Sequence, residues 1–141
     1  MIGDGRSLPY ADGEFEIAYS SSVIEHLNQW EDQERFAREL RRVGRSIYVQ
    51  TPNRWFPIEP HFGGLFAHWL PAPLRRVLMP WLSVRGWLHS ADGIDNRELL
   101  EEVRLLSFRE MQALFADCEI VRERFLGLTK SFIAIRRVTG R

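Results

Sequence analysis

Several groups of residues in this chain have the types and spacing to do chemistry. Ser20-Ser21-Ser22 closes a run in which Phe15, Ile17 and Tyr19 alternate with Glu16 and Ala18, so Phe15 to Ser20 reads as a strand. Ser20 and Ser21 then stand at a strand's carboxyl end, the edge where open α/β sheets bind ligands. The same serines also suit the N-cap of a short helix through Val23 to Leu27, and both roles are compatible. Glu25-His26 joins a carboxylate to a side chain that titrates near neutrality. Consecutive helical residues do not face each other, so no direct relay is expected. His26 is read equally as a catalytic candidate and as a structural or cofactor-edge residue. His61 and His68, with Glu59 nearby, lack a third close ligand, and prolines at 57, 60, 71 and 73 interrupt helical continuity. No metal site is expected there. Cys118 opens a strand-like run and reads as buried packing, not as a nucleophile. Gly3-Asp4-Gly5, taken alone, is a turn.

The elements that would position these groups fall into three zones. In the first, Asp12-Gly13 is a turn signal ahead of the strand. From Glu31 to Val43, Phe36, Ala37, Leu40 and Val43 share one helical face, and Gly44 is placed as a C-cap. Arg45 to Thr51 reads as a second strand, stopped at Thr51-Pro52-Asn53. Strand, helix, strand predicts a parallel crossover. The middle zone, Asn53 to about Asp95, holds four of the five tryptophans, six of the seven prolines counting Pro52, and three of the four histidines. It reads as an insertion with small helices at Phe62 to Leu70 and Pro73 to Leu82. In the third zone Arg97 to Leu105 is helical in pattern, and Ser107-Phe108-Arg109-Glu110 is a capping box. Phe108, Met111, Leu114 and Phe115 follow as an apolar face. Cys118 to Phe125 and Lys130 to Val138 are strand-like runs joined closely enough to pair antiparallel.

Composition bounds the class. The chain has 141 residues, 45% hydrophobic and 27% charged, which suits one globular domain. Nineteen basic and nineteen acidic residues cancel, so no nucleic-acid partner is expected. One cysteine excludes an intramolecular disulfide and points to a reducing, cytoplasmic setting. Met1 to Arg6 lacks the pattern of a signal peptide, and the uncharged stretch ending at Leu74 is too short to span a bilayer.

The ordered set Gly3-Asp4-Gly5, Leu8-Pro9-Tyr10, Asp12 to Ala18, and Ser22-Val23-Ile24-Glu25-His26-Leu27 resembles the middle motifs of the class I S-adenosylmethionine-dependent methyltransferases, type 11. Thr51-Pro52-Asn53-Arg54 and Pro57-Ile58-Glu59-Pro60-His61 resemble the segment after the fifth strand in one branch. The resemblance implies a partial Rossmann-like α/β sheet, mostly parallel, with a C-terminal antiparallel hairpin and a helical insertion at 53–95. It implies S-adenosylmethionine as cofactor, with Asp4 and Gly5 beside the adenine and the backbone at Ser20 and Ser21 along the cofactor. Gly5 would let the ring approach the main chain. Acceptor contacts fall to His26, Asn53, Arg54 and His61, and the acceptor is a small molecule or a cell-envelope component. Glu16 replaces the family's usual Asp at a position that only begins a strand.

The family's glycine-rich loop and ribose-binding acid have no counterpart here. The chain reads as the C-terminal half of such a domain, lacking about 60 residues at 30 or more per βαβ unit. The strand at Phe15 to Ser20 is then expected to carry an open apolar edge. Two roles remain open: methyl transfer that needs the remaining part, and a non-catalytic module that self-associates through the edge. The Trp-rich insertion is read as a lid with its own small core, or as a face for lipid or a lipid-linked substrate beside Arg75, Arg76 and Arg85.

Overall fold

The computed structural model describes residues 3–59, 64–65 and 103–138. In chain order the elements are β1 (Phe15–Ser21), a 3-10 turn (Ile24–His26), α1 (Trp30–Val43), β2 (Gly44–Pro52), β3 (Ile58–Glu59), β4 (Gly64–Leu65), α2 (Phe108–Leu114), β5 (Glu119–Phe125) and β6 (Leu128–Arg136). The chain divides into two compact units, Met1–Trp55 with Val103–Arg141, and Phe56–Glu102.

In the first unit the strands lie in the order β1-β2-β6-β5. β1 and β2 are parallel, with Ala18 opposite Ile47 and Ser20 opposite Val49, as the strand–helix–strand pattern predicts. β6 returns antiparallel to β2, and β5 pairs antiparallel with β6. The hairpin between them turns on Leu126 and Gly127, with φ of 49° and 83°. Both central residues of a type I′ turn need positive φ; glycine adopts it without strain, and leucine does not.

One face of the sheet is buried. Ala18, Ile47, Val49, Phe132 and Ala134 alternate onto it and pack against Phe36, Ala37, Leu40 and Val43 of α1 and Met111, Leu114 and Phe115 beyond α2's start. The predicted helical faces are the ones buried. The opposite face carries Ile17 and Tyr19, 64% and 68% exposed, and Tyr19 stacks on Tyr48 at 5.3 Å. β1 is the sheet's edge among the described residues, and its apolar side chains are open as expected.

Three local expectations change and one holds. Ser20-Ser21-Ser22 caps nothing: the 3-10 turn begins after Val23 without a side-chain cap. Instead the Ser21 and Ser22 hydroxyls donate to Gln50 Oε1 at 2.9 and 3.3 Å, while Ser22 bends at φ 51°. Gly44 is not a left-handed cap; its φ and ψ are −96° and 130°. It is glycine because a Cβ there would stand 2.5 Å from Ala18 Cβ across the parallel pair. Val103–Leu105 is not helical, and Leu106 instead forms a bridge with Asn53. The capping box at Ser107 and Glu110 does form, with both reciprocal bonds.

In the second unit β3 and β4 pair antiparallel, Ile58 opposite Leu65. Extended backbone at Gly64–Leu65 corrects the expected helix at those two residues. Glycine is a poor helix former, and here the chain takes a cross-strand partner instead. The helix at 73–82, the Trp-rich surface and its arginines, and His61, His68 and His89 lie outside the described residues, as does the stretch 97–102.

Substituting Gly44→Ala should lower stability by roughly 2–3 kcal/mol through overpacking. A urea melt should show a lower midpoint with an unchanged slope. Pairing it with Ala18→Gly, which removes the opposing Cβ, should recover part of the loss; no recovery would show that the contact is not the cause.

Candidate functional site

Two pockets open at the carboxyl ends of β1 and β2. The first, about 340 Å³, is built where β1 ends against α1. Ser20 and Ser21 supply its strand side, Phe36 and Leu40 its helix side, and Gly5 and Leu8 its roof. Gly5 belongs here for a steric reason: a Cβ would lie 2.7 Å from the Phe36 ring. So glycine admits Phe36 to the main chain, a contact that the sequence reading reserved for a ligand ring.

The roof is tied down electrostatically. Glu39 on α1 accepts from the Leu8 N–H at 2.8 Å and from Arg42 at 2.8–2.9 Å. Those bonds hold its carboxyl down at about 2, with Arg42 the larger cause and Leu8 the second. Arg42 also donates to the Leu8 and Tyr10 carbonyls at 3.0 and 2.6 Å and to Asp12 at 2.8 Å. One arginine thus sets the path of residues 8–12 across α1.

Ser20 is the group in this pocket that stands out chemically. Its side chain is buried, and its hydroxyl has no hydrogen-bond partner among the described residues. A buried polar atom without a partner is uncommon and costs about 1–3 kcal/mol, which a ligand atom can relieve. Asp4 is engaged within its own loop. It is exposed, and its carboxylate takes the Arg6 guanidinium at 2.8–3.1 Å and the Arg6 N–H at 2.9 Å, which hold it at about 2. Arg6 in turn reaches Asp32 at 2.9 Å. Asp4 therefore anchors the entry loop to α1 and does not line the pocket.

Glu25 and His26 part company, as their adjacency predicts. Glu25 is fully buried and accepts from the Thr51 hydroxyl at 3.0 Å, while His26 is exposed at the same end of the sheet. Behind them Gln33 bridges two segments: its amide donates to the Ile24 and Arg104 carbonyls at 3.0 Å, and its oxygen accepts from Arg104 at 2.5 Å.

The second pocket, about 460 Å³, lies at the end of β2. Asn53 is four residues past Val49, the partner of Ser20, hence roughly 13 Å further along the strand direction. Asn53 and Arg54 both line it, as do Trp55, Phe108 and Arg122. The Asn53 amide is committed to the fold: it donates to Thr129 O at 2.8 Å and accepts from the Trp55 N–H at 3.1 Å. Arg54 stands 3.7 Å from Glu110, which Arg104 also holds at 2.6 Å. Burial pushes the Glu110 carboxyl up, but the Ser107 and Arg104 hydrogen bonds outweigh it, so the net shift is downward.

Sequence reading thus found Gly5, Ser20 and Ser21 in one pocket and Asn53 and Arg54 in another. It missed Phe36 and Leu40, classed only as core, and Phe108, Arg109 and Arg122, which a helix and a hairpin bring to the β2 end. No spacing signal joins those residues. Cys118 is half-buried, and burial, with Asp117 beside it, raises its thiol to about 11, so it is a protonated, unreactive group at neutral pH. Among the described residues no three His, Cys, Asp or Glu side chains gather as metal ligands.

Residues 1–46 match the family model described as a methyltransferase domain, type 11. Ajmaline N-methyltransferase of Rauvolfia serpentina is 44% identical over 45 residues, which are 32% of this chain and 14% of that enzyme. An uncharacterized protein of Mycobacterium tuberculosis strain H37Rv is 38% identical over 48 residues, 34% of this chain and 16% of its own length. The segments shared with these curated relatives are thus less than a fifth of either. A crystal structure of an S-adenosylmethionine-dependent methyltransferase from Methanosarcina mazei superposes with a TM-score of 0.53. It covers 96% of this chain and 64% of that one at 14% identity, a likeness of fold.

The Glu39 bonds carry a pH signature. Its folded pKa, about 2, lies below the ordinary 4.5, so its stabilisation is present above pH 4.5 and is lost as pH falls from 4.5 towards 2. Glu39→Gln should be less stable at pH 7 and lose less stability across that window. Urea midpoints at pH 7, 4.5 and 2.5 measure this; parallel losses in both proteins would exclude Glu39 as the source.

Proposed function

We propose that this chain is a class I S-adenosylmethionine-dependent methyltransferase-like domain, on the match of residues 1–46 and the likeness of fold, and that the pocket at the end of β1 holds the adenosine part of S-adenosylmethionine. The methyl acceptor, a small molecule, then binds at the end of β2. The observation that carries this reading is the orphaned Ser20 hydroxyl in an apolar slot at a strand's carboxyl end. The residues present fit such a ligand. Phe36 and Leu40 offer a flat apolar wall, Ser20 a hydrogen bond to a ring or ribose atom, and the Gly5 main chain is accessible beside them. When bound, the cofactor supplies an electrophilic methyl group on its sulfonium.

The chain's own contribution is placement. Tyr19 and Val23 close the pocket's outer side, and the Glu39–Arg42 bonds keep the Leu8 wall in position. The two pockets lie at the ends of adjacent parallel strands, roughly 13 Å apart along the strand direction, so the methyl-bearing arm of a ligand at β1 has to reach along one sheet edge to an acceptor at β2. His26, exposed at that edge, is the candidate to take a proton from the acceptor. The single half-buried thiol suits a reducing, cytoplasmic setting.

A second reading, a non-catalytic module, has its own support. β1 is an edge strand with Ile17 and Tyr19 exposed, a surface able to pair with another strand. Under this reading the chain pairs through β1 and binds no cofactor.

Calorimetric titration of the full chain with S-adenosylmethionine separates the two. Binding in the micromolar range is expected, and Ser20→Ala should weaken it about five- to tenfold, one hydrogen bond's worth. The variant removes an unsatisfied buried hydroxyl, so it should fold at least as stably as the parent. A folded parent chain that takes up no S-adenosylmethionine sinks the enzymatic reading and leaves the pairing module.

A further inference from the structure

The pocket at the end of β2 has a chemical character that the methyl-transfer reading does not specify. Its floor is aromatic: Phe108 and Phe132 lie with ring centroids 5.7 Å apart, and the Trp55 ring, 65% exposed, stands at its rim. Its polar lining is dominated by cations. Arg54, Arg109 and Arg122 all contribute to it, and among the described residues no carboxylate does.

The balance of charge around it is uneven. Arg54 shares Glu110 with Arg104 and sits at the longer distance, 3.7 Å against 2.6 Å. Glu110 also accepts the Ser107 N–H, so its oxygens are committed. Glu123, beside Arg122 on β5, is held by Ser131 and by Lys130. Among the described residues Arg109 and Arg122 make no ion pair, and Arg122 lies against a ring: its guanidinium carbon is 4.0 Å from the centre of Phe108. Register explains that placement, since Arg122 is opposite Phe132 and shares its face of the sheet. Stacked on an aromatic ring, a guanidinium is held flat and leaves its N–H edge available for a planar oxyanion.

An aromatic floor beside two arginines without carboxylate partners selects a ligand that is apolar and flat at one end and anionic at the other. We propose that the pocket at the end of β2 binds a flat apolar ring that carries an oxyanion, a carboxylate or a phosphate ester. The ring lies on Phe108, Phe132 and Trp55, and the oxyanion is bound by Arg109 and Arg122. That this ligand is the methyl acceptor rests on the methyl-transfer reading; that the pocket prefers such a ligand does not. Asn53 acts as a positioning residue, because its bonds to Thr129 and Trp55 set the rim.

The test is calorimetric titration of the full chain, without S-adenosylmethionine, with naphthalene-2-carboxylate, 2-naphthyl phosphate and neutral naphthalene-2-carboxamide. At low salt both anions should bind at least about tenfold more tightly than the amide, and the gap should narrow as salt rises. The better of the two anions identifies the oxyanion class. In the Arg109→Gln, Arg122→Gln double variant, altered at two exposed side chains, the anions should fall to about the affinity of the amide. Equal affinities for anion and amide, an unchanged preference in a folded double variant, or no binding of any probe each overturn the proposal. Because the parent's preference is read without any substitution, misfolding of the variant cannot rescue it. Probe binding by a chain that ignores S-adenosylmethionine keeps the anion pocket and removes its acceptor role. Uptake of S-adenosylmethionine with no anion preference does the reverse.

Discussion

The arrangement at the sheet's carboxyl edge depends on the buried amide of Gln33. It lies on α1, fully enclosed, and must satisfy a donor group and an acceptor without water. It does so by reaching the Ile24 carbonyl at the end of β1 and the Arg104 carbonyl and guanidinium in the segment before α2. Those partners are nine and 71 residues away. The Arg104 N–H closes the same cluster on the Glu25 carbonyl at 2.8 Å, and its guanidinium lies 5.0 Å from the centre of the Trp30 ring. One polar side chain thus joins the segment that shapes the first pocket to the segment that shapes the second. Neither end can shift without leaving a buried polar group unpaired, which is a steep penalty in a low-dielectric interior.

A second set of polar ties acts at the far end of the sheet. Arg136 on β6 donates to the Arg41 and Gly44 carbonyls at 3.0 and 2.6 Å, where α1 passes into β2, and pairs with Asp117 before β5. Arg41 joins the same Asp117 at 2.6 Å. The crossover and the hairpin are therefore locked together opposite the ligand edge. The carboxyl edge keeps polar groups with spare capacity, the Ser20 hydroxyl and the Arg109 and Arg122 guanidiniums. The ties at one end hold the register, while the carboxyl edge, where open α/β sheets bind ligands, keeps polar groups to spare.

Much of the fold was legible in the sequence because its signals are periodic and local. The alternation from Phe15 to Tyr19, the helical face through Phe36 and Leu40, and the Ser107–Glu110 box each act over a few residues, and each appears where predicted. The errors came from residues whose role depends on a distant partner. Gly44 looks like a helix cap in one dimension, yet it is glycine because Ala18 crosses it in space. Ser21 and Ser22 look like caps, yet Gln50 on the neighbouring strand takes their hydroxyls.

The sequence by itself determined the strand–helix–strand crossover, the terminal hairpin and the kind of fold, since hydrophobic periodicity and turn chemistry are properties of neighbouring residues. It also brought Gly5, Ser20 and Ser21 together, through an ordered set of motifs, and they line one pocket. Only the tertiary structure decided which of those groups keep chemical capacity. Ser20 keeps its hydroxyl because β1 ends against the apolar side chains of α1, where no acceptor among the described residues reaches it. Arg122 is left without an ion pair among the described residues because strand register sets it over Phe108. Whether a polar group is spent or available depends on what the rest of the chain brings within about 3 Å of it, and that distance is fixed by packing, not by order along the chain.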